Sequence, residues 1–372
     1  MPTFPLRHKK LVLNIGAAVS VFMMCMATLW PLNPWPKNEL SWLEYEDGVR
    51  LCKHGTILSM GQFGNEADAE IKPFSLEVWM EPWRDEGSTV ILAFYERENP
   101  DQFILGQDGL AVSVLHTTGK SGVENPKPLV SWIPRGKTLV TVTASPNGTT
   151  LYLNGKAQGF SRSIGLSRRN ITGELVIGTS PIANKCWCGV LRGVAIYGND
   201  LTAQEVSNHY KAWSLNHEEV IPIRQPMLAL YLFHERSGSL VRNEIQPGVN
   251  LSIPKYYTLW RHSFLLPPWK EFQPNWTYVS DLFWNVLGFV PLGLILYPYF
   301  LVAVGSKRPW LMSCVAGAAL SLLIEILQSF LPQRSSGWTD VITNSAGTAL
   351  GASICFSSAG QAILKKLFGE QL

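Results

Sequence analysis

The sequence predicts a multi-domain protein in which an all-β sandwich is joined to an α-helical transmembrane domain of about four spans. Two observations predict it. Long apolar runs sit toward both ends of the 372 residues, and a polar stretch of short alternating strands and turn residues lies between them. The expected divisions are residues 1–36 for the N-terminus and first span, 37–255 for the sandwich, 256–280 for an interfacial connector and 281–372 for three further spans.

The first apolar run, LVLNIGAAVSVFMMCMATLWPL over residues 11–32, follows Arg7, His8, Lys9 and Lys10. At about 1.5 Å per residue it is long enough for a hydrocarbon core of roughly 30 Å. It exceeds the roughly 7–15 apolar residues of a signal peptide. Trp30-Pro31-Leu32-Asn33-Pro34-Trp35 reads as an interface anchor in place of a small-residue cleavage site, so an uncleaved helix is expected. Three more runs cover residues 282–304, 310–331 and 341–364. Basic residues gather at Arg7 to Lys10, at Lys307 and Arg308, and at Lys365 and Lys366. With basic loops inside, both termini are cytoplasmic and the middle of the chain is extracytoplasmic. Trp30, Trp35, Trp276, Trp284 and Trp338 then fall at the outer interface and Trp310 at the inner one, as in an aromatic belt.

A net charge of +3 with no compact basic patch argues against a nucleic-acid partner. The chain has no zinc-spaced Cys/His set, glycine-rich phosphate loop or Gly-x-Ser-x-Gly elbow, so no metal or cofactor is expected.

Within the middle segment, FSLEVWM, STVILAFY, FILGQDGLAVSVL, TLVTVTASPNGTTLYLNGK and GELVIGT are rich in β-branched and aromatic residues. Pro146-Asn147-Gly148 and Asn154-Gly155 are hairpin signals. LTAQEVSNHYKAW, residues 201–213, is the one stretch with helical spacing. The segments GVRLCKHGTILSM, TLYLNGKAQG and GVLRGVAIYGNDLTAQEVSNHYKAW resemble a laminin-G or concanavalin A-like jelly roll. That resemblance covers about 180 residues and implies a sandwich often used to bind carbohydrate. No aspartate-rich calcium loop accompanies it. Trp83, Trp132 and Trp187 are the candidate sugar platforms, against the alternative that such tryptophans pack between the sheets. Glu77 alternates with apolar neighbours and reads as a structural partner, since glycoside hydrolysis needs a second carboxylate at a defined separation. Cys52, Cys186 and Cys188 fall on the extracytoplasmic side, where a disulfide from Cys52 to Cys186 or Cys188 is permitted.

An acid and an amide four residues apart open two of the apolar runs: Asp281 with Asn285, and Asp340 with Asn344. Glu325 and Gln328 close the run between them, just before Arg334. Residues at i and i+4, and nearly at i and i+3, share a helix face. An intramembrane carboxylate normally faces protein or a wet cavity. Asp281, Asn285, Glu325, Gln328, Arg334, Asp340 and Asn344 are therefore expected to form one polar pocket, with Glu325 deepest. The competing reading makes the aspartates helix caps, the asparagines interhelical bonds and Arg334 a neutralising charge. Gly288, Gly293, Gly347 and Gly351 provide for close helix packing.

DLFWNVLGFVPLGLIL and SLLIEILQSFLPQRSSGWTDVITNSAGTALG resemble the VanZ-like family, named for a teicoplanin-resistance protein, over about 90 residues. The resemblance places the seven polar residues, with Pro291, Gly293 and Gly347, on motif positions, and implies a link to glycopeptide resistance. The sandwich then reads as an insertion in an extracytoplasmic loop. In the connector, Arg261 and His262 are candidates for a head-group contact. The expected protein lies in a bacterial inner membrane, with an extracytoplasmic glycan or lipid-linked saccharide and the lipid bilayer as partners. It recognises the glycan through the sandwich and holds a lipid-associated component in the pocket. The alternative is a transferase or hydrolase using Glu325 and Asp340 as acid and base.

Overall fold

A computed structural model describes residues 6–64, 72–83, 87–96, 102–117, 127–180, 185–215, 226–245, 247–257, 264–272, 276–332 and 334–369. Arg261 and His262 lie outside the described residues. The chain divides into two compact units, one of Trp35–Arg261 and one formed by Met1–Pro34 with His262–Leu372.

The first unit is a sandwich. Its strands are β1 (Ser41–Trp42), β2 (Val49–Leu51), β3 (Ile57–Ser59), β4 (Phe74–Pro82), β5 (Ser88–Tyr95), β6 (Gln102–Asp108), β7 (Ala111–Thr117) and β8 (Leu129–Trp132). They continue as β9 (Thr138–Ser145), β10 (Gly148–Leu153), β11 (Lys156–Ser161), β12 (Glu174–Ile177), β13 (Gly189–Tyr197), β14 (Met227–Tyr231), β15 (Leu240–Val241) and β16 (Leu251–Ser252). One sheet runs β1-β2-β13-β4-β9-β10-β11, with β14 also on β13; the other runs β15-β16-β3-β12-β5-β6-β7-β8. The expected hairpin signals close β9 onto β10 and β10 onto β11. Asn154 and Gly155 both take positive φ, 50° and 77°, as a tight two-residue hairpin requires.

Strand alternation sorts the side chains. Leu76, Val78 and Met80 of β4 point between the sheets with Leu191, Val194 and Ile196 of β13, while Trp79 and Ala195 point outward. Onto that outer face packs α2 (Ala203–Ser214), whose Thr202 and Glu205 form a reciprocal capping box. Its apolar side brings Val206, Ala212 and Trp213 to Trp79, Leu139 and Tyr152. Glu77 sits beneath it, fully buried, and accepts from His209 Nδ1 (3.0 Å), the Tyr197 hydroxyl (3.0 Å) and Trp213 Nε1 (3.1 Å). Burial first, and then the Glu77 charge, push the Tyr197 pKa well above its ordinary value, so the hydroxyl keeps the proton it donates.

The second unit is helical: α1 (Leu6–Leu29), the single turn α3 (Pro268–Glu271), α4 (Trp276–Pro298), α5 (Pro309–Gln328), α6 (Trp338–Phe356) and α7 (Ser358–Phe368). A π-helical stretch, Tyr299–Val304, extends α4. Among the described residues three helices are long and apolar enough to cross a membrane: Arg7–Leu29, Tyr278–Val304 and Pro309–Gln328. The fourth apolar run does not continue as one helix to residue 364. α6 ends after 19 residues, about 28 Å of rise, and Ser357 in an extended conformation caps α7 by accepting from the Gly360 N–H.

Glycines set how closely the helices approach. A Cβ on Gly347 would lie 2.1 Å from the Val286 carbonyl, one on Gly351 2.1 Å from that of Val290, and one on Gly293 2.0 Å from that of Thr348. Gly347 on Val286 and Gly351 on Val290 advance together along both chains, so α4 and α6 run parallel. Gly317 meets Thr348 and Ser321 meets Asn344, so α5 runs antiparallel to α6. Gly288 has nothing within 4 Å of a Cβ and takes no part in this seam. The connectivity puts Lys307 and Arg308 at one end of the helices with Lys365 and Lys366, and the Lys9 ammonium reaches the Phe368 carbonyl there. The acid and amide residues lie at the opposite end.

Two outcomes are expected. Glu77→Ala leaves three buried donors without an acceptor and is expected to destabilise the sandwich by about 3–5 kcal/mol, read as earlier thermal loss of the near-ultraviolet tryptophan signal. Gly347→Ala is expected to lower the thermal midpoint of the detergent-solubilised helical unit, while Gly288→Ala leaves it unchanged; equal midpoints would contradict the close-packed seam.

Candidate functional site

The acid and amide side chains lie at the end of α4, α5 and α6 remote from the basic clusters, and one acid–amide pair among them is in contact. α4 starts at Trp276, so Asp281 lies within the helix and is not its cap. One turn on, Asn285 Nδ2 donates to Asp340 Oδ1 across the α4–α6 seam at 2.8 Å. Asp281 is exposed and within electrostatic reach of Asp340. One turn below Asp340, Asn344 Nδ2 donates to Ser321 Oγ of α5 at 3.0 Å, while its buried Oδ1 has no partner among the described residues.

Glu325, 1% exposed, is the deepest acid of the set. Its Oε2 accepts the Gly337 N–H at 2.9 Å, and Ser336 also bonds to its side chain. Glu271, at the end of α3, accepts the Thr339 N–H at 3.0 Å and the Thr339 hydroxyl. Gly337 is the N-cap of α6 and has no side chain to satisfy the first free N–H groups. Two carboxyls from elsewhere in the unit do so instead, at the partially positive end of the helix. A Cβ on Gly337 would sit 1.5 Å from Glu271 Oε1, so a side chain there would displace that carboxyl. Glu271 was not among the residues that spacing singled out, because its partners are 68 residues away in the chain. The only local signal is the pair Pro267-Pro268, which starts the single turn that presents it.

Gln328 and Arg334 face elsewhere. Gln328 Nε2 donates to the Thr28 carbonyl at 2.9 Å and Arg334 Nη2 to the Trp30 carbonyl at 2.7 Å, so both tie the end of α1 to the unit. Among the described residues no ion pair joins Arg334 to a carboxylate. The neutralising role weighed for it is therefore absent there. Glu271, Asp281, Glu325 and Asp340 form a group of acceptors with no basic partner among the described residues. Such a group suits hydroxyl or ammonium donors. Among the described residues no three acidic, histidine or cysteine side chains converge to hold a metal ion.

The three sandwich tryptophans separate. Trp83 is 40% exposed and lines a cavity of about 490 Å³ with Trp42, Arg50 and Glu81. The Arg50 guanidinium lies 5.7 Å from the centre of its ring. Trp132 is 77% exposed on β8, the last strand of its sheet. Trp187 is not a sugar platform. It is fully buried in the core between the sheets, with Nε1 donating to Gln107 Oε1 at 2.6 Å, because the Cys186-Trp187-Cys188 segment turns its middle residue inward. Of the two pairings allowed for Cys52, the disulfide is with Cys188. Cys186 lies 3.5 Å from the Thr179 hydroxyl.

Two family profiles match this chain. VanZ/LLP1 matches residues 225–361, which include every member of the polar set. The concanavalin A-like lectin/glucanases superfamily matches residues 61–207. No match was found among curated proteins. Solved structures with some likeness include "Binding domain of Botulinum neurotoxin DC in complex with rat synaptotagmin II", at 12% identity, 48% of this chain, 46% of that one and a TM-score of 0.37. "Crystal structure of the receptor binding domain of botulinum neurotoxin C/D mosaic serotype" gives 13%, 47%, 45% and 0.38. This chain spans less than half the length of either, and likeness at that level says nothing of what it binds. The matched profiles and the three apolar helices establish a membrane protein that joins a VanZ-like helical segment to a concanavalin A-like sandwich.

Proposed function

We propose that this is a cell-envelope protein of a bacterial inner membrane that recognises an extracytoplasmic glycan with its sandwich. In this reading the polar end of α4–α6 holds a lipid-associated envelope component at the outer leaflet. The observation that carries it is the bias of basic residues toward one end of the helical unit. Lys9, Lys307, Arg308, Lys365 and Lys366 stand at that end; Glu271, Asp281, Glu325 and Asp340 stand at the other, where Arg334 also lies, bound to the Trp30 carbonyl. With basic segments inside, the carboxyl end faces the outer leaflet. α1 ends and α4 begins at that end, so the residues between them are extracytoplasmic as well.

The acceptors there fit the hydroxyl or amino groups of a glycolipid-type head group. Intramembrane acids without a basic partner are costly to maintain for structure alone. Glu271 adds an acceptor at the same end beyond the seven residues recognised from spacing. A link to glycopeptide resistance accords with the VanZ-like segment and with binding of an envelope precursor. A catalytic version is favoured by one feature: Glu325 is 1% exposed and within electrostatic reach of Asp340, as in sites where one carboxyl is acid and another base.

The test is mass spectrometry of lipid-linked and polymeric envelope glycans from cells with the natural protein, Glu325→Gln or no copy, at matched membrane levels. Both deficient strains are expected to accumulate the same lipid-linked species. A Glu325→Gln profile equal to that of the natural protein would remove the pocket from the function.

A further inference from the structure

On the outer face of the first sheet, α2 covers the end that carries Glu77 and Tyr197 and leaves the other end open. There Arg50, Val190 and Glu81 stand side by side across β2, β13 and β4. The pairing of β13 with β4 shifts between Leu191 and Gly193, so Arg192 is the extra residue of a bulge, a device that re-aims a side chain. Its guanidinium reaches Glu46 and lies 3.4 Å from Glu81. Gly193 leaves room for Trp213, whose ring would come within 2.4 Å of a Cβ.

Two cavities, of about 380 and 490 Å³, meet at Tyr45, Glu46 and Arg192. Each falls in the roughly 300–1,000 Å³ range of small-molecule sites. Tyr45, 84% exposed at the junction, is held by its hydroxyl bond to Glu44 at 3.0 Å. The larger cavity adds the half-open face of Trp83.

The charges of the trough answer one another. Glu46 takes Lys137 at 3.2 Å as well as Arg192, and Arg236 meets Asp47 at 3.0 Å. The Lys137 bond, and then Arg192, hold the Glu46 carboxyl below its usual range, so it remains an ionised acceptor. Paired in this way the basic groups exert little net pull on a polyanion, and the trough is too polar for an apolar helix. Ionised side chains do form strong hydrogen bonds with neutral hydroxyls, and an open aromatic face suits the C–H face of a pyranose ring.

We propose that this trough is the binding site for an uncharged oligosaccharide, with Tyr45 as the stacking platform between two sugar subsites. Arg192, with Glu46 and Glu81, is the hydroxyl-reading group. The assignment rests on the reading of the sandwich as a glycan-binding domain and gives it a location and a ligand class.

The full-length protein in lipid nanodiscs is applied to an array of glucose, mannose and N-acetylglucosamine oligomers of several lengths. The array also carries polyanionic glycans and unstructured peptides. The natural chain is expected to bind at least one uncharged oligomer, with longer oligomers bound more tightly than the monosaccharide. Tyr45→Ala and Arg192→Lys are expected to weaken that binding at least tenfold, with Phe160→Ala, an exposed aromatic of β11 outside the trough, unchanged. Tyr45 is open to solvent, so its truncation leaves the core intact, and circular dichroism verifies folding of each variant. If uncharged oligomers bind but neither Tyr45→Ala nor Arg192→Lys weakens them, the trough is wrong and glycan recognition stands. Binding of polyanions alone overturns the ligand class. Binding of peptides alone, or of nothing on the array, overturns the glycan reading together with the site.

Discussion

The first turn of α6 is the constraint on which the helical unit depends. A backbone N–H buried without an acceptor costs about 1–3 kcal/mol, and Gly337, itself buried, supplies no cap of its own. Glu325 reaches that N–H from α5 and Glu271 reaches Thr339 from α3, so two distant segments are fixed by one helix terminus. The helix dipole favours both carboxyls there. Asp340, in the same turn, is held by Asn285 from α4. The acids that stand out in the sequence therefore have structural partners as well as the placement of a binding site. A substitution has to separate the two roles, and removing a charge while keeping an acceptor, as Glu325→Gln does, comes closest.

The glycine seam makes this arrangement possible. With Gly293, Gly347 and Gly351 against backbone carbonyls, α4 and α6 approach closely enough for the short side chains of Asn285 and Asp340 to meet. Gln328 and Arg334 bond to carbonyls at the end of α1 and so secure the remaining apolar helix to the same end. The sandwich follows a comparable rule on a sheet. Gly193 admits Trp213, and Trp213 with His209 and Tyr197 closes over Glu77. In both units a buried acid is tolerated because backbone or side-chain donors converge on it.

Much of this was legible in the sequence because it is local. Hairpins follow from Asn147-Gly148 and Asn154-Gly155, α2 from its apolar spacing, and the asparagines as interhelical donors, the alternative weighed for them, from i, i+4 stripes on helices that must pack. Glu77 reads correctly as a structural acid, although its three donors come from elements far along the chain. What escaped depends on tertiary placement. Trp83, Trp132 and Trp187 look alike in sequence, yet one is half-open, one open and one in the core. Glu271 becomes part of the polar end only through contacts from α3 to α6. The break at Ser357 was hidden by an apolar run that continues through α7. The trough at Tyr45 was hidden because Arg192 owes its direction to a bulge.

The functional reading stands on sidedness: the acid end of the helices and the sandwich must both be extracytoplasmic, with the basic end inside. Single cysteines at Tyr45, exposed in the sandwich, and at Lys307, between α4 and α5, report on it when the free native cysteines are replaced and the Cys52–Cys188 bridge is kept. A membrane-impermeant maleimide reaching the periplasm of otherwise intact cells is predicted to label position 45 directly and position 307 only after the inner membrane is opened. Labelling of position 307 without that step, or protection of position 45, would contradict the account.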